Sequence, residues 1–356
     1  MKSKFKIYLK PCSFVGKDQG ISLEKRNMAK RLCGTENFFT KIQVITREES
    51  SEIKFIPIKE FEKDFLINKE VKLSYSKLLS ERKVFFNDKN LMKKKDFLIF
   101  GILNVTPDSF SDGGQYLDSK TAIEKAQQMF HDGAAFIDVG GESTRPGARK
   151  ISSNDELLRI LPIIQGLSLK NIPISLDSRN YTTMEMSSYF QIAVFNDVSA
   201  LKNNKNKISL IKNSGSMTIL MHMPGTPKTM MKRNKYRNVV LDVYDYLAKR
   251  IDYCEKLGLS RDKIIIDPGI GFGKDTLQNI ELLKHISVFH SLGCPIMLGI
   301  SRKSLISKFG KSLAPKERLP GSIAIQLKAL SEGIQIFRVH DVKETIQAFT
   351  AWKSTY

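Results

Sequence analysis

The sequence predicts an α/β protein whose larger part is a (β/α)8 TIM barrel, preceded by a smaller N-terminal segment whose fold the sequence does not specify. Three observations lead to this prediction. Downstream of residue 96, apolar runs of strand length alternate with amphipathic patterns of helix length. Eight such units fit into about 260 residues, the usual size of this barrel. The apolar runs also lack a regular apolar–polar alternation, as expected for parallel strands buried on both faces.

The repeating elements can be placed along the chain. The predicted strands are residues 97–105, 134–140, 172–178, 191–198, 217–223, 263–269, 295–301 and 334–340. The clearest predicted helices are residues 119–131, 155–168, 239–257, 276–290, 317–331 and 342–353. An open, doubly wound sheet is the alternative arrangement, although open sheets of eight strands are less common than smaller ones.

The composition excludes several classes of protein. With 41% hydrophobic residues the chain can bury a sizeable core, which excludes wholesale disorder. No apolar stretch approaches the roughly 20 residues of a membrane-spanning helix, and the basic N-terminus lacks the features of a secretory signal. The four cysteines, Cys12, Cys33, Cys254 and Cys294, have no CxxC spacing, which argues against disulfides and structural zinc. We therefore predict a cytoplasmic protein with no membrane partner.

The basic charge of the chain is concentrated near its N-terminus. Residues 1–95 contain 23 Lys and Arg against 12 Asp and Glu, which gives them +11 of the total +20. A run of lysines at 93–95 is followed by an abrupt apolar run, and we place the boundary between an extension, residues 1–95, and a barrel, residues 96–356, at this point. Because the lysines are scattered and form no recognisable motif, nucleic acid is not a predicted partner.

A polar side chain occurs at the carboxyl end of every predicted strand. In a barrel these ends surround one opening, so the side chains should share one active site. The residues are Asn104, Asp138, Asp177, Asn196, His222, Asp267, Ser301 with Arg302 and Lys303, and Arg338 with His340. Each alone could equally be a turn residue or a helix cap, but all eight strands end in this way.

The chemistry of this ring suggests a flat heterocycle that carries phosphate. Its three carboxylates and two amides can bind an N–H edge through paired hydrogen bonds. Cationic donors for a phosphate or diphosphate are supplied by Arg145, Lys303, Arg338 and His340. For any one of these cations a surface salt bridge is the alternative.

Loops between the elements refine this prediction. The glycines of DPGIGFGKD, residues 267–275, fit neither a dinucleotide fingerprint nor a phosphate loop, so neither ligand is predicted. They would let the backbone approach a flat ligand, with Phe272 in contact. The polar loops 106–119 and 141–150 are predicted to be lids. No spacing of a metal hydrolase is present, and Ser301 lacks the second glycine of a GxSxG nucleophile.

Seven motifs together resemble the dihydropteroate synthase family. In order they are GILNVTPDSFSDGG (101–114), IDVGGESTRPGA (137–148), NDVSAL (196–201), MHMPGTPKTM (221–230), DPGIGFGK (267–274), GISRKS (299–304) and FRVHDVKET (337–345). The resemblance spans residues 96–356. It implies a barrel that condenses (7,8-dihydropterin-6-yl)methyl diphosphate with 4-aminobenzoate, giving 7,8-dihydropteroate and diphosphate in folate biosynthesis. It also implies Mg²⁺ as cofactor, a homodimer, and competition by sulfonamides for the 4-aminobenzoate site.

The resemblance further implies a role for each matching residue. The catalytic set would be Asn104, which holds Mg²⁺ on the diphosphate, with Asp108, Lys303, Arg338 and His340. The pterin would be bound by Asp138, Asp177, Asn196, Asp267 and Lys303. The diphosphate would be bound by Thr144, Arg145, Arg338 and His340. The 4-aminobenzoate would be framed by Phe110, Thr144, Pro146, Phe272 and Ser301.

Two parts of the sequence depart from the family pattern. Residues 176–180 read LDSRN, where the family more often has Asp-Thr and then a lysine after one further residue. Asp177 is kept, so we expect pterin binding with an altered loop. Residues 1–95 match nothing in a minimal synthase. They are interpreted as the remnant of a fused folate-pathway domain, a dimerisation extension or a species-specific addition.

Two other functions remain as alternatives. A pterin-dependent methyltransferase barrel would share the Asp-Pro-Gly and Asn-Asp contacts with the pterin. It would not need the cations of residues 301–303 and 338–340, which therefore favour loss of diphosphate. A non-catalytic protein that binds pterin, or nucleic acid through the basic extension, is the alternative from another class.

Overall fold

A computed structural model of the chain describes residues 6–47, 54–105, 115–145, 147–148, 150–202, 204–309 and 314–355. The described residues form an N-terminal unit, up to residue 95, and a barrel that follows it. Within these ranges no helix is both long and apolar enough to cross a membrane.

The N-terminal unit is a small antiparallel sheet covered by helices. Its elements are β1 (Tyr8–Val15), α1 (Lys17–Lys25), β2 (Lys30–Arg31), β3 (Phe38–Ile45), β4 (Lys54–Pro57), α2 (Ile58–Phe65), α3 (Lys69–Leu79), and the short hairpin strands β5 (Phe85–Phe86) and β6 (Lys89–Asn90). Strand β3 is central, because β1 pairs with one of its edges and β2 and β4 with the other. The unit has a core of its own, built around Phe39, Ile42 and Phe61.

The N-terminal unit is fastened to the barrel by buried and charged contacts. Arg47 donates to the carboxylates of Asp242 and Asp245 at 2.9 and 2.7 Å. The guanidinium of Arg82 is buried and donates to the backbone carbonyl of His290 at 2.8 Å. Because these bonds join two separately built cores, the two units form one continuous structure.

The barrel contains eight β/α units. Its elements are β7 (Leu98–Asn104), α4 (Gln115–His131), β8 (Phe136–Gly140), α5 (Ser153–Leu169), β9 (Ile174–Asp177), α6 (Tyr181–Ser187), β10 (Ile192–Asp197), α7 (Asn206–Ser214), β11 (Met217–Met221), α8 (Val239–Lys256), β12 (Ile264–Asp267), α9 (Thr276–Lys284), β13 (Met297–Leu298), α10 (Ser304–Ser307), α11 (Leu319–Ser331), β14 (Ile336–Val339) and α12 (Val342–Thr355). The predicted TIM barrel is confirmed, and each predicted strand contains one of these eight.

The sheet is parallel and closes on itself. Its strand order is β12-β11-β10-β9-β8-β7-β14-β13. A parallel bridge between Ile266 and Ile296 joins the two ends of this order, and the amide of Ile266 donates to Pro295 at 2.9 Å. Closure leaves no sheet edge, so the open, doubly wound alternative is wrong.

Two helical predictions needed revision, and other helices were not among the clear predictions. The predicted helix 276–290 is divided, because α9 ends at Lys284 and a 3-10 helix, Ile286–Leu292, follows. The predicted helix 317–331 begins with a 3-10 turn, Pro315–Arg318, before α11. Helices α6 and α7 were not among the clear predictions, because seven and nine residues give too few turns for a periodic pattern.

The barrel interior has an apolar lower layer at the amino ends of the strands. Inward side chains from seven strands form one buried cluster: Leu98 and Phe100, Phe136, Val194, Met217 and Ile219, Ile265, Met297, and Ile336. Val84 and Met92, which flank the β5–β6 hairpin, join this cluster from below. The lower layer is therefore a packed plug, and only the carboxyl end of the barrel remains for a polar site.

Candidate active site

Strand alternation places the polar residues directly above the apolar lower layer. Successive side chains of a strand point to opposite faces, so a residue two positions beyond an inward side chain also points inward. Asp138 follows the inward Phe136 in this way, and the same relation links Asn196 to Val194, Asp267 to Ile265, and Arg338 to Ile336. The upper layer, defined by Asp138, Asp177, Asn196, Asp267 and Arg338, is thus fixed by strand register.

Arg338 joins two buried carboxylates at the centre of the upper layer. Its Nε donates to Asp138 Oδ2 at 2.5 Å, and its Nη2 donates to Asp177 Oδ2 at 2.8 Å. Asp138 has no exposed surface and also accepts from Ser175 Oγ at 2.5 Å and from Asn196 Nδ2 at 3.3 Å. Asp138 is therefore fully bonded within the protein, whereas Asp177 has capacity for another partner.

Burial and the ion pairs change the acidity of these groups in opposite ways. Burial raises the pKa of Asp177 above its ordinary value, because it outweighs the attraction of Arg338. Burial also disfavours the charge on Arg338, but the carboxylates of Asp138 and Asp177 more than compensate and raise its pKa. The site thus combines a permanent cation with an acid poised to gain from a hydrogen-bonding ligand.

A second pair of opposite charges, Asp267 and Lys303, lies beside the first, close enough for Arg338 to act on both groups. We call the space bordered by these two charge pairs the hollow. Burial raises the pKa of Asp267 and lowers that of Lys303 to about 8, although each charge favours the other. Lys303 Nζ donates to the carbonyl of Ile270 and lies 4.7 Å from the centroid of the Phe272 ring. A Cβ built on Gly299 would lie 3.9 Å from both Lys303 Nζ and Arg338 Cβ, so the two cations border one space.

His340 provides a neutral donor beside these cations. Burial lowers its pKa to about 3, and the charges of Arg338 and Arg302 act in the same direction. Its Nδ1 lies 3.1 Å from Ser301 Oγ, which also accepts from the His340 backbone amide at 3.2 Å. When the serine hydroxyl donates to Nδ1, Nε2 carries the ring proton and can donate to an anion. The sequence suggested a cationic histidine, whereas the lowered pKa favours the neutral ring.

The residues predicted at the mouth of the barrel are less enclosed. Asn104 ends β7 with an exposed side chain, Thr144 is half-buried and Arg145 is exposed. Asp108, Phe110 and Pro146 lie outside the described residues. The mouth is thus polar and accessible, in contrast to the buried upper layer beneath it.

His222 does not belong to the upper layer, although the sequence placed it in the ring. His222 directly follows the inward Met221, so its side chain points to the outer face of the strand. Its ring packs edge-on against Tyr246, with ring centroids 4.7 Å apart, and its centroid lies 5.9 Å from that of Tyr236. Burial lowers its pKa well below the ordinary range. The prediction failed because a residue at a strand end can face the barrel interior or the surrounding helices, and a shift of one position along the strand exchanges the two.

Sequence reasoning missed two ion pairs behind the site. Arg179 donates to both carboxylate oxygens of Glu142, at 2.8 and 2.9 Å. Lys207 Nζ is 2.7 Å from Asp197 Oδ2, and both side chains are almost fully buried. The first pair links residues 141–150, the predicted second lid, to residues 176–180, the segment that departs from the family pattern. The carboxylate of Glu142 therefore accommodates the arginine found there. Nothing in the sequence identifies such partners, which lie 37 residues apart in one case.

Comparison with known proteins points to one family. A model described as "Pterin binding enzyme" matches residues 100–340. The dihydropteroate synthase of Escherichia coli (strain K12) is 40% identical over 258 residues, which cover 72% of this chain and 91% of that protein. The crystal structure of the Yersinia pestis dihydropteroate synthase with a sulfonamide drug complex superposes with a TM-score of 0.68 at 37% identity, covering 73% and 94% of the two chains. The Xanthomonas albilineans dihydropteroate synthase in complex with 7,8-dihydropteroate gives 0.66 at 33% identity, covering 73% and 93%.

Proposed function

This chain belongs to the dihydropteroate synthase family of pterin-binding enzymes, and we propose that its barrel joins (7,8-dihydropterin-6-yl)methyl diphosphate to 4-aminobenzoate. The products are 7,8-dihydropteroate and diphosphate. One observation carries the proposal: the paired charges of Asp177 with Arg338 and of Asp267 with Lys303 line a single hollow above an apolar plug. Such a hollow suits a flat, polar ring with an anionic tail.

The upper layer is proposed to bind the pterin. The pyrimidine edge of a pterin offers N–H donors and ring acceptors in one plane. Asp177 and Asp267 can accept from these donors, while the amide of Asn196 and the amine of Lys303 can donate to the acceptors. Both carboxylates are nearly buried, so a ligand that bonds to them relieves groups that burial would otherwise leave poorly solvated.

Mg²⁺ is proposed to enter with the diphosphate. An amide oxygen such as that of the exposed Asn104 is an acceptable Mg²⁺ ligand. In the described part of the chain no group of three His, Cys, Asp or Glu could hold a metal. Because Mg²⁺ often keeps waters and binds substrate phosphates, this donor set fits an ion shared by Asn104, diphosphate and water. When bound, the ion would neutralise charge on the diphosphate.

The proposed reaction begins with departure of diphosphate. The C–O bond breaks and its electron pair leaves with the diphosphate, while the dihydropterin ring donates electrons to the methylene carbon. Arg338, Arg145 and the Nε2 hydrogen of His340 would stabilise the leaving charge. One well-placed donor of this kind contributes about 3 kcal/mol to the transition state. Asp177 and Asp267, with Asp108 in the first lid, would stabilise the cationic pterin.

The second half of the reaction forms the C–N bond. The amine of 4-aminobenzoate attacks the methylene carbon and then loses a proton, so no covalent protein intermediate is needed. Phe272, Thr144 and Ser301 are proposed to frame the 4-aminobenzoate, with Phe110 and Pro146 from the two lids. Closed lids would exclude water, which would otherwise capture the cation. Sulfonamides are expected to compete for this space.

Diphosphate release is the test of this function. Purified full-length protein is mixed with pterin diphosphate and Mg²⁺, with and without 4-aminobenzoate, and both diphosphate and dihydropteroate are quantified. We expect equal amounts of the two products, both dependent on 4-aminobenzoate and both inhibited competitively by a sulfonamide. Formation of neither product under these conditions would contradict the proposal, and methyl transfer to a corrinoid would favour the alternative barrel function.

Two further properties are proposed for the whole chain. The four cysteines are all free thiols, which supports a reducing compartment such as the cytoplasm. A homodimer is proposed from the family resemblance, and sedimentation analysis of the full chain tests it.

A further inference from the structure

Lys274 is buried at the edge of the active site, and no carboxylate among the described residues is hydrogen-bonded to it. Only 3% of its surface is exposed. Its Nζ donates to three backbone carbonyls instead, those of Gly269 at 2.8 Å, Phe272 at 3.0 Å and His222 at 3.4 Å. An ammonium group has three donors, so this arrangement uses all of them. Burial strongly lowers the pKa of Lys274, whereas the charge of Asp267 favours its protonated form.

The segment around Lys274 is held from outside the hollow by other side chains. We call residues 269–275 the glycine loop. The Oδ1 of Asn279 accepts from the Gly271 amide at 2.7 Å, and its Nδ2 donates to the carbonyls of Lys274 and Asp275 at 3.1 and 2.7 Å. Tyr236 donates from its hydroxyl to the Gly273 carbonyl at 2.9 Å. Nearly every carbonyl of the glycine loop therefore has a side-chain donor.

The glycine loop needs such support because its backbone is unusual. Gly269, Gly271 and Gly273 all have positive φ, a conformation that other residues rarely adopt. A Cβ on Gly269 would lie 2.0 Å from the carbonyl oxygen of His222. Close packing and three left-handed residues leave the loop few hydrogen bonds of its own, so its shape depends on Lys274 and Asn279.

The inner side of the glycine loop meets the reactive hollow. The Ile270 carbonyl accepts from Lys303 Nζ, and the Phe272 ring lies under the same ammonium group. The Gly269 amide donates to Asp267 Oδ1 at 2.7 Å. A shift of the loop would therefore move both partners of Lys303 and one partner of Asp267 together.

We propose that Lys274 is a positioning residue, which shapes the glycine loop through three backbone carbonyls and thereby fixes Lys303 and Phe272 for the reaction. This inference rests on the proposed function, because it assigns a task within that site. Lys274 does not touch the substrate in this role. The charged groups that face Lys303 are Asp267, Arg338 and Lys274 itself, so changes at Lys274 reach Lys303 both through the loop and through charge.

The pH dependence of catalysis separates positioning from general stability. In the wild type, kcat/KM should decline above about pH 8, where Lys303 loses its proton. In Lys274→Met the loop loosens, Lys303 gains water, and its pKa moves back towards that of an ordinary lysine. We expect kcat/KM to fall by about 10- to 100-fold and its alkaline limb to move to higher pH.

Lys284→Met is the matched control, because it makes the same substitution at an exposed lysine at the end of α9. This variant should keep the wild-type value of kcat/KM and the wild-type position of its alkaline limb. Thermal unfolding of each variant shows whether activity is lost beyond any loss of folded protein. If Lys274→Met does not fold, Asn279→Ala is measured in the same way and should shift the limb in the same direction.

The results distinguish a positioning role of Lys274 from a contribution to stability alone. A folded Lys274→Met enzyme with wild-type kcat/KM, or one that loses activity only in proportion to folded protein with an unmoved alkaline limb, overturns the inference. An unmoved limb in Asn279→Ala does the same when that variant is needed. If the wild type itself releases no diphosphate, the proposed function fails first, so the two failures are distinguishable.

Discussion

The lower and upper layers of the barrel interior are built from the same strands and differ completely in character. On β8, Phe136 and Asp138 point into the same space two residues apart, and on β14 the same is true of Ile336 and Arg338. The lower layer buries apolar side chains that need no partner. Each buried charge of the upper layer depends on another residue. The lower layer is thus suited to stability and the upper layer to binding and catalysis.

This difference makes the upper layer the part of the barrel interior that is most sensitive to substitution. Burying a charge is unfavourable unless hydrogen bonds and an opposite charge compensate, and replacing one partner is more harmful than never having the pair. Arg338 compensates two carboxylates at once, which makes it the most sensitive position of the upper layer. The layers should therefore respond differently to substitution.

The largest effect is expected for Arg338→Met, which leaves Asp138 and Asp177 buried without their cation. The free energy of unfolding should fall by about 3–5 kcal/mol, and activity should be lost. Urea denaturation and diphosphate release measure the two effects. Arg26→Met, at an exposed arginine of the N-terminal unit, is the control. Adding Asp177→Asn to Arg338→Met should restore part of the stability, and a single variant as stable as the wild type would contradict the comparison.

A similar loss of stability without loss of chemistry is expected in the lower layer. Phe100 is fully buried, and its ring centroid lies 4.6 Å from that of Phe136. Phe100→Ala should lower the free energy of unfolding by about 3–5 kcal/mol through the cavity that it leaves. The kcat of the folded fraction should stay close to the wild-type value. A kcat that fell as steeply as in an upper-layer variant would show that the two layers are not separable.

The reverse behaviour is expected for Lys303→Ala. Removing this amine deletes a cation beside Asp267 and the donor to the Ile270 carbonyl. Turnover should fall by about 10²–10³-fold, the usual loss for one preorganised donor. Stability should fall less than in Arg338→Met, because the carboxylate of Asp267 keeps the Gly269 amide as a donor. Lys308→Ala, at a nearby exposed lysine, should be fully active. Normal turnover in Lys303→Ala would refute its assignment to the site.

The smallest effect is a pH dependence of stability that belongs to Asp177. The pKa of Asp177 is raised in the folded protein, so the folded state holds its proton more tightly than the unfolded state does. Its stabilising contribution is therefore complete below the unfolded pKa and is lost as the pH rises through the folded pKa. The difference in unfolding free energy between the wild type and Asp177→Asn, measured against pH, should reveal this decline.

Asp262→Asn provides the control for that profile, since Asp262 is an exposed acid at the amino end of the same barrel. Its difference from the wild type should be nearly independent of pH. A difference for Asp177→Asn that grew in favour of the wild type with rising pH would have the wrong sign for a buried acid.

Sequence alone determined the order of the strands in the barrel and the type of most of its elements. Apolar runs without alternation are typical of parallel strands that are buried on both faces. Eight strands and six helices could therefore be predicted without knowing how these elements pack together. The polar strand ends and the ordered motifs likewise predicted the site residues and identified the family, because those features are local in the chain.

Tertiary structure alone decided which of those residues act together. Arg338 meets Asp138 and Asp177 across 200 and 161 residues of chain, and no local pattern encodes such a pairing. The outward turn of His222, closure at Ile266 and Ile296, and the carbonyl contacts of Lys274 depend in the same way on strand register and loop path. Local sequence determines which interactions a residue can make, whereas the closed barrel determines which neighbours it makes them with.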